Sequence, residues 1–323
     1  MGGCVSSTAN NKNEGKENAV VNTKYTAPPQ KEQPQAVVPP KAASAKPGIN
    51  VADKPLTDAE QLVVASKTGD LEKVKKLNGK GVDLSTTDGG TNCAWHYAAA
   101  NGHWEIVKYL QEKGCDVLSL PANGWGLIHY ACYRGEKDAV VWVVDTLGGD
   151  VNLASVSGWT ALHAACASGH INLVKWLLLK GSNPKCKTRK GRTVLHVALR
   201  EGQLEMAQWL HSTQNMPLDE RDRIGLTSVH QAAYSGRRDV VEWLLAKGLD
   251  VYAHDAYGWS VLYAAASTGE EDLIKLLNEK GCFLHITEKD PKWRPSRKPR
   301  VIKGDRRSIE AQKGGPQAAR HSL

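Results

Sequence analysis

Between Ile171 and Leu178 the apolar residues Ile171, Leu173, Val174, Trp176, Leu177 and Leu178 recur on one side of a helical wheel, with Asn172 and Lys175 between them. That spacing predicts an amphipathic helix. Upstream, Ala161 to Ala167 is a run of mostly small residues behind Thr160, a residue type suited to cap a helix N-terminus, and predicts a second, shorter helix. Gly169 between them allows a tight reversal, and Gly181 ends the longer helix in a left-handed conformation. The unit reads as turn, short helix, glycine, longer helix, glycine, loop.

This unit repeats through residues 57–288. The strings Gly158-Trp-Thr-Ala-Leu-His163-Ala-Ala, Gly191-Arg-Thr-Val-Leu-His196-Val-Ala and Gly225-Leu-Thr-Ser-Val-His230-Gln-Ala are close copies, and those around His96, His129 and Tyr263 are looser. A degenerate first copy places Val63 at the histidine position. The anchors Val63, His96, His129, His163, His196, His230 and Tyr263 are separated by 33, 33, 34, 33, 34 and 33 residues. A glycine stands six residues after every anchor, and another eighteen after five of the seven. The third unit carries Gly148-Gly149 one position late, and the fifth has Met216-Pro217 in the region where the second glycine is due.

In period and in its Thr-x-Leu-His motif the segment resembles the ankyrin repeat. The resemblance implies an all-α solenoid of about seven helix-turn-helix units. A single unit cannot bury its own apolar face, so the stack shares one continuous core and needs polar ends. Lys73, Lys75, Lys76 and Lys80 in the first outer helix fit a polar end.

Charge divides the chain in the same way. Residues 1–56 carry net +3, residues 57–288 net −3, and residues 289–323 net +8. The basic excess therefore belongs to a tail, and the acidic stack argues against nucleic acid on its surface. The first segment holds seven prolines and one aromatic, too little apolar surface to offset its chain entropy, and reads as a disordered leader. The last segment is broken by Pro291, Pro295, Pro299 and Pro316 and reads as a second disordered tail. No apolar run approaches the length of a spanning helix, and the opening Met-Gly-Gly-Cys-Val-Ser-Ser lacks the apolar stretch of a secretory signal. Seven cysteines, none in a Cys-x-x-Cys pair, fit a reducing cytosolic compartment better than a disulfide framework.

Gly2 followed by Ser6 satisfies the Met-Gly-x-x-x-Ser/Thr pattern for N-myristoylation, and Cys4 lies where dually acylated proteins carry palmitate. One myristoyl chain binds membranes only marginally, so stable anchoring needs a second signal. Palmitate on Cys4 is one. The basic tail is another, through Lys292, Trp293, Arg294, Arg297, Lys298, Arg300, Lys303, Arg306 and Arg307. The same tail also reads as a nuclear localisation signal or a solubilising extension, and Ser296 and Ser308 stand beside arginines as phosphorylation candidates.

The ankyrin resemblance implies that partners bind a concave face made of hairpin tips and inner helices. The tip positions are four, six and seven residues before each anchor, and the helix positions four and five after it. They carry Trp125, Trp159, Arg189, Lys190, Arg192, Arg223, Tyr257 and Trp259 at the tips, and Tyr133, Arg134, Arg200 and Tyr234 on the helices. Trp, Tyr and Arg dominate interface hot spots, and the basic cluster around Arg189 favours an acidic partner. A second aromatic column, Tyr109, Trp142, Trp176, Trp209 and Trp243, stands thirteen after its anchors and predicts core packing. His129-x-x-Cys132 and His163-x-x-Cys166 resemble metal-ligand spacing, yet the histidines belong to the repeat and the cysteines to small apolar positions. No phosphate-binding loop, zinc-protease motif or nucleophile elbow occurs. The expectation is a monomeric, non-catalytic adaptor without cofactor or metal, lipid-anchored at the cytoplasmic face of a membrane and holding a protein partner. The alternative is a soluble or nuclear regulator that masks a partner.

Overall fold

A computed structural model describes residues 56–88 and 91–282. The acylation candidates Gly2 and Cys4, the leader, and the basic tail from Lys292 to Arg307 with Ser296 and Ser308 lie outside the described residues.

Seven inner helices alternate with seven outer ones among the described residues. The inner row is α1 (Asp58–Thr68), α3 (Ala94–Asn101), α5 (Leu127–Arg134), α7 (Ala161–Ala167), α9 (Val194–Arg200), α11 (Ser228–Ala233) and α13 (Val261–Ala266). The outer row is α2 (Leu71–Gly79), α4 (Trp104–Glu112), α6 (Lys137–Val141), α8 (Ile171–Leu179), α10 (Leu204–Gln214), α12 (Arg238–Ala246) and α14 (Glu271–Glu279). Each inner helix packs on the inner helix of the next unit, so the core is a line and not a ball. No helix among them is long and apolar enough to cross a membrane.

Two sequence features set this packing. Small residues such as Ala98, Ala131, Ala164, Ala198, Ala232 and Ala264 are fully buried and let the inner helices approach closely. Eleven and fourteen residues past each anchor, a buried apolar pair (Val174 and Leu177 in the fourth unit, Val241 and Leu244 in the sixth) seats the outer helix on the inner row. Burying such side chains stabilises by roughly 1.5–3 kcal/mol each before chain entropy is counted.

The two 34-residue units absorb their extra residue in the outer helix, by different means. In the third, α6 continues as a π turn, Trp142–Thr146, closed by Leu147 N–H donating to Trp142 O at 3.1 Å, and Gly148 (φ 70°) takes the left-handed position. In the fifth, α10 runs on to Gln214 and Asn215 (φ 51°) takes it. Asn is the residue other than glycine that most readily tolerates that conformation, because its short polar side chain bonds locally. The missing second glycine of the fifth unit is therefore replaced by Asn215, just ahead of Met216-Pro217.

The outer aromatic column packs on the core with one face only. Trp142, Trp176, Trp209 and Trp243 are half-buried, and lysines lie over several of these rings: Lys180 over Trp176 at 5.2 Å, Lys175 over Trp209 at 5.7 Å and Lys108 over Trp142 at 5.9 Å. The apolar body is covered on one side by core and on the other by a cation attracted to the ring face.

Candidate protein-interaction surface

The histidine anchors tie each unit to the next. In the fourth unit, His163 Nδ1 accepts the backbone N–H of Thr160 at 3.3 Å, which leaves the proton on Nε2. That Nε2–H donates to Arg192 O of the following unit at 3.3 Å. The same double bond holds His129 between Gly126 and Trp159 O, and His230 between Thr227 and Trp259 O. His196 reaches Glu220 O instead. Burial pushes His96, His129, His163 and His230 down to about 4, so at neutral pH they are uncharged. These imidazoles are structural caps occupied at both nitrogens (Nε2 of His96 excepted), and no group of His, Cys, Asp or Glu among the described residues is placed to hold a metal.

Ahead of each cap the chain makes a hairpin finger, closed by isolated antiparallel bridges such as Ala154 with Thr160 and Lys187 with Thr193. The fingertips bond in series: Val156 N–H to Asn123 O at 3.0 Å, then Arg189 to Ser157, Arg223 to Lys190 and Ala256 to Ile224, each at 2.9 Å. Gly158 shows why a glycine stands there. Its φ is 77°, and a Cβ would lie 2.7 Å from Arg189 N, a backbone atom that is itself bonded across the ladder. We expect Gly158→Ala to destabilise the stack by about 2–3 kcal/mol, from the left-handed backbone plus the displaced inter-finger bond. A urea midpoint unchanged within error would contradict that account.

The ladder determines which of the sequence-predicted contact residues are presented. Arg189, Lys190, Arg223 and Tyr257 are exposed at successive fingertips, Tyr257 at 47%. Arg134 is exposed on α5, 3.9 Å from Glu136, while Tyr133 and Tyr234 are half-buried. The three tip tryptophans are a correction to the expected contact surface: Trp125, Trp159 and Trp259 are only 2%, 4% and 6% exposed. Four residues before the anchor the side chain points behind the finger and packs on the inner helices. Trp125 lies 5.9 Å from Trp159, 5.6 Å from Tyr130 and 5.4 Å from His129, and Trp259 lies 4.1 Å from Tyr263. The indoles are a second internal seam, and their burial withdraws them from direct contact.

Arg192 and Arg200 are buried as well, at 3% and 8% exposure. Arg192 occupies the register of the tryptophans, and its Nε lies 3.5 Å from Asp222 Oδ2. Arg200 Nη1 donates to Gln231 Oε1 at 3.4 Å, and its guanidinium lies 6.0 Å from the Tyr234 ring centroid. Burial, assisted by the charge of Arg192, pushes Arg200 down to about 10, still cationic at neutral pH. Burial likewise lowers the Lys190 ammonium, with both guanidiniums adding to the shift. Asp222 and Gln231 were not singled out from the sequence. The available signal was an aspartate eight residues before three anchors, at Asp88, Asp222 and Asp255.

Comparison with known proteins agrees with this geometry. The family model described as "Ankyrin repeats (3 copies)" matches residues 62–155, 144–222, 162–255 and 214–290, together more than two thirds of the chain. A mouse (Mus musculus) protein phosphatase 1 regulatory subunit 27 is 32% identical over 90 residues, 28% of this chain and 58% of that protein. The E3 ubiquitin-protein ligase XBAT33 of Arabidopsis thaliana is 40% identical over 83 residues, 25% of this chain and 16% of the ligase. The diacylglycerol kinase zeta of Rattus norvegicus is 27% identical over 122 residues, 37% of this chain and 13% of the kinase. The chain thus spans between about an eighth and three fifths of the length of these relatives, and it shares with them repeat-containing segments. With seven helix pairs, histidine caps and a fingertip ladder across the residues that the family model matches, the chain belongs to the ankyrin-repeat family.

Proposed function

We propose that this protein is a non-catalytic adaptor that binds a protein partner along its concave face and is held at the cytoplasmic side of a membrane by acyl groups on Gly2 and Cys4, with the basic tail as a further contact. The observation that carries the binding reading is the fingertip ladder, which aligns Arg189, Lys190, Arg223 and Tyr257 as exposed side chains on a backbone braced finger to finger. Such pre-ordering lowers the entropy lost on association. Ankyrin repeats and a regulatory-subunit relative support a binding role over catalysis, and that relative makes protein phosphatase 1 one partner to test. A photo-crosslinking residue at Val156 or Tyr257 is expected to capture the partner, and one at Lys175 on the outer helix is not. Equal capture from both faces rejects the concave-face reading.

The anchor rests on Gly2, Cys4, Ser6 and the +8 tail. Gly2→Ala should move the protein from the membrane to the soluble fraction, since it removes the acceptor amine environment that myristoylation requires. Cys4→Ser should give partial release, because a single myristoyl chain binds only marginally. Unchanged fractionation of Gly2→Ala rejects the anchor, and nuclear accumulation that is lost on deleting residues 289–323 favours the soluble regulator instead.

A further inference from the structure

The internal seam behind the fingers is aromatic at Trp125 and Trp159 and again at Trp259, and between them it is interrupted by a buried cation, Arg192. Its one acid partner is heavily used already. Asp222 Oδ1 accepts the backbone N–H groups of Ile224 and Leu226 at 3.0 Å each, and Oδ2 accepts Gln231 Nε2 at 3.0 Å. Arg192 Nε reaches that same oxygen only at 3.5 Å, and Arg192 Nη2, although buried, has no hydrogen-bond partner. Beside it stands Arg200, also buried, and Lys190 is close enough to feel both guanidiniums. Glu201 is half-buried and near both guanidiniums; burial raises its carboxyl and the two arginines oppose that shift. Arg223 is exposed on the next fingertip, its N–H bonded to Lys190 O.

A buried guanidinium with an open N–H is costly, and a neighbouring tryptophan register shows that this position accepts an apolar side chain. Sealed behind the finger, the two guanidiniums are out of a partner's reach, but two cations this close in a low-dielectric setting raise the positive potential at the exposed Lys190 and Arg223. We propose that Lys190 and Arg223, exposed on adjoining fingertips beside the buried Arg192 and Arg200, form an anion-receiving subsite of the concave face that takes one acidic side chain of a partner peptide, a carboxylate or a phosphate. The inference rests on the protein-binding reading for the source of the anion and deepens it by naming the chemistry recognised.

The test uses the full chain and three fluorescent peptides of one neutral sequence, with three central glutamates, one central phosphoserine, or three glutamines. At least one anionic peptide is expected to bind ten-fold or more tighter than the glutamine peptide, and which one does so separates carboxylate from phosphate. Arg192→Leu copies the residue that Leu226 places at the same register of the next unit, and Arg200→Ala copies Ala167 of the preceding one. Each should weaken that binding at least five-fold with a retained cooperative melt, and Lys190→Gln provides a surface variant independent of core packing. Lys137→Ala, exposed at the start of the outer helix α6, should leave binding unchanged. The proposal is overturned by anionic peptides no tighter than the neutral one, by protection with inorganic phosphate alone, or by binding indifferent to Arg192, Arg200 and Lys190. In those cases, crosslinking at Val156 and Tyr257 still decides whether the concave face holds a protein.

Discussion

Below pH 6.5 the repeat stack is expected to lose stability steeply, well before its carboxylates titrate. His129, His163 and His230 are buried and neutral, and burial lowers each from an unfolded value of 6.5 to about 4. The unfolded chain therefore takes up protons first. The stabilisation is fully present above pH 6.5 and is lost as pH falls through about 4. Between pH 7 and pH 5 the cost is about 2 kcal/mol for each such histidine, comparable in sum to the whole stability of an ordinary domain. Protonation also forces a second proton onto Nδ1, which now accepts the N-cap amide, so one event breaks a helix cap. Asp255 and Glu201 act in the opposite sense, because burial raises their carboxyls and the folded state then holds the extra proton. Urea unfolding at pH 7.5, 6.0 and 5.0 should show the loss. In His163→Gln the dependence on pH over that interval should flatten by about 1 kcal/mol per pH unit. A wild-type stability that is level from pH 7.5 to 5 would refute the capping account.

The period, the anchors and the two glycine registers made the architecture legible, because each repeats one backbone requirement seven times. Even the irregular units announced themselves: a 34-residue spacing and a late glycine mark where a residue is inserted. Whether the insertion becomes a π turn, as at Trp142–Thr146, or a longer helix closed by Asn215, as in α10, depends on neighbour packing that spacing does not encode. Side-chain depth was the harder question. Register located Trp125, Trp159 and Trp259 on the fingers, but depth is decided by the rings around them: Trp159 of the next unit lies against Trp125, and Tyr263 of the same unit against Trp259. The neighbours two and three residues earlier, Lys190 and Arg189 among them, sit at the finger's end and are exposed. The Arg192–Asp222 pair joins residues 30 apart in sequence, and its visible signs are a lone arginine in a tryptophan register and an aspartate eight residues before the next anchor.

Asp222→Ala is expected to be the most damaging single substitution in the stack, at about 3–5 kcal/mol. The carboxylate is wholly buried and accepts from two loop amides, Gln231 and Arg192. Its removal leaves a buried guanidinium without its counter-charge while Arg200 remains beside it, and it strips the sixth finger of the acceptor that shapes its turn. These losses separate by design. Ser155 and Thr188 occupy the same register in the fourth and fifth units, and their hydroxyls accept the amides of Trp159 and Arg192 at 3.0 and 3.1 Å. Asp222→Ser should therefore keep the turn but not the charge balance, and should recover only part of the loss. Adding Arg192→Leu removes the stranded cation, and the double variant should regain most of the stability, since replacing both members of a buried pair is tolerated where deleting one is not. A thermal or urea series on the three variants measures this directly. If Asp222→Ser with Arg192→Leu is no more stable than Asp222→Ser alone, the guanidinium is not stranded by loss of Asp222, and the electrostatic reading of the cluster fails.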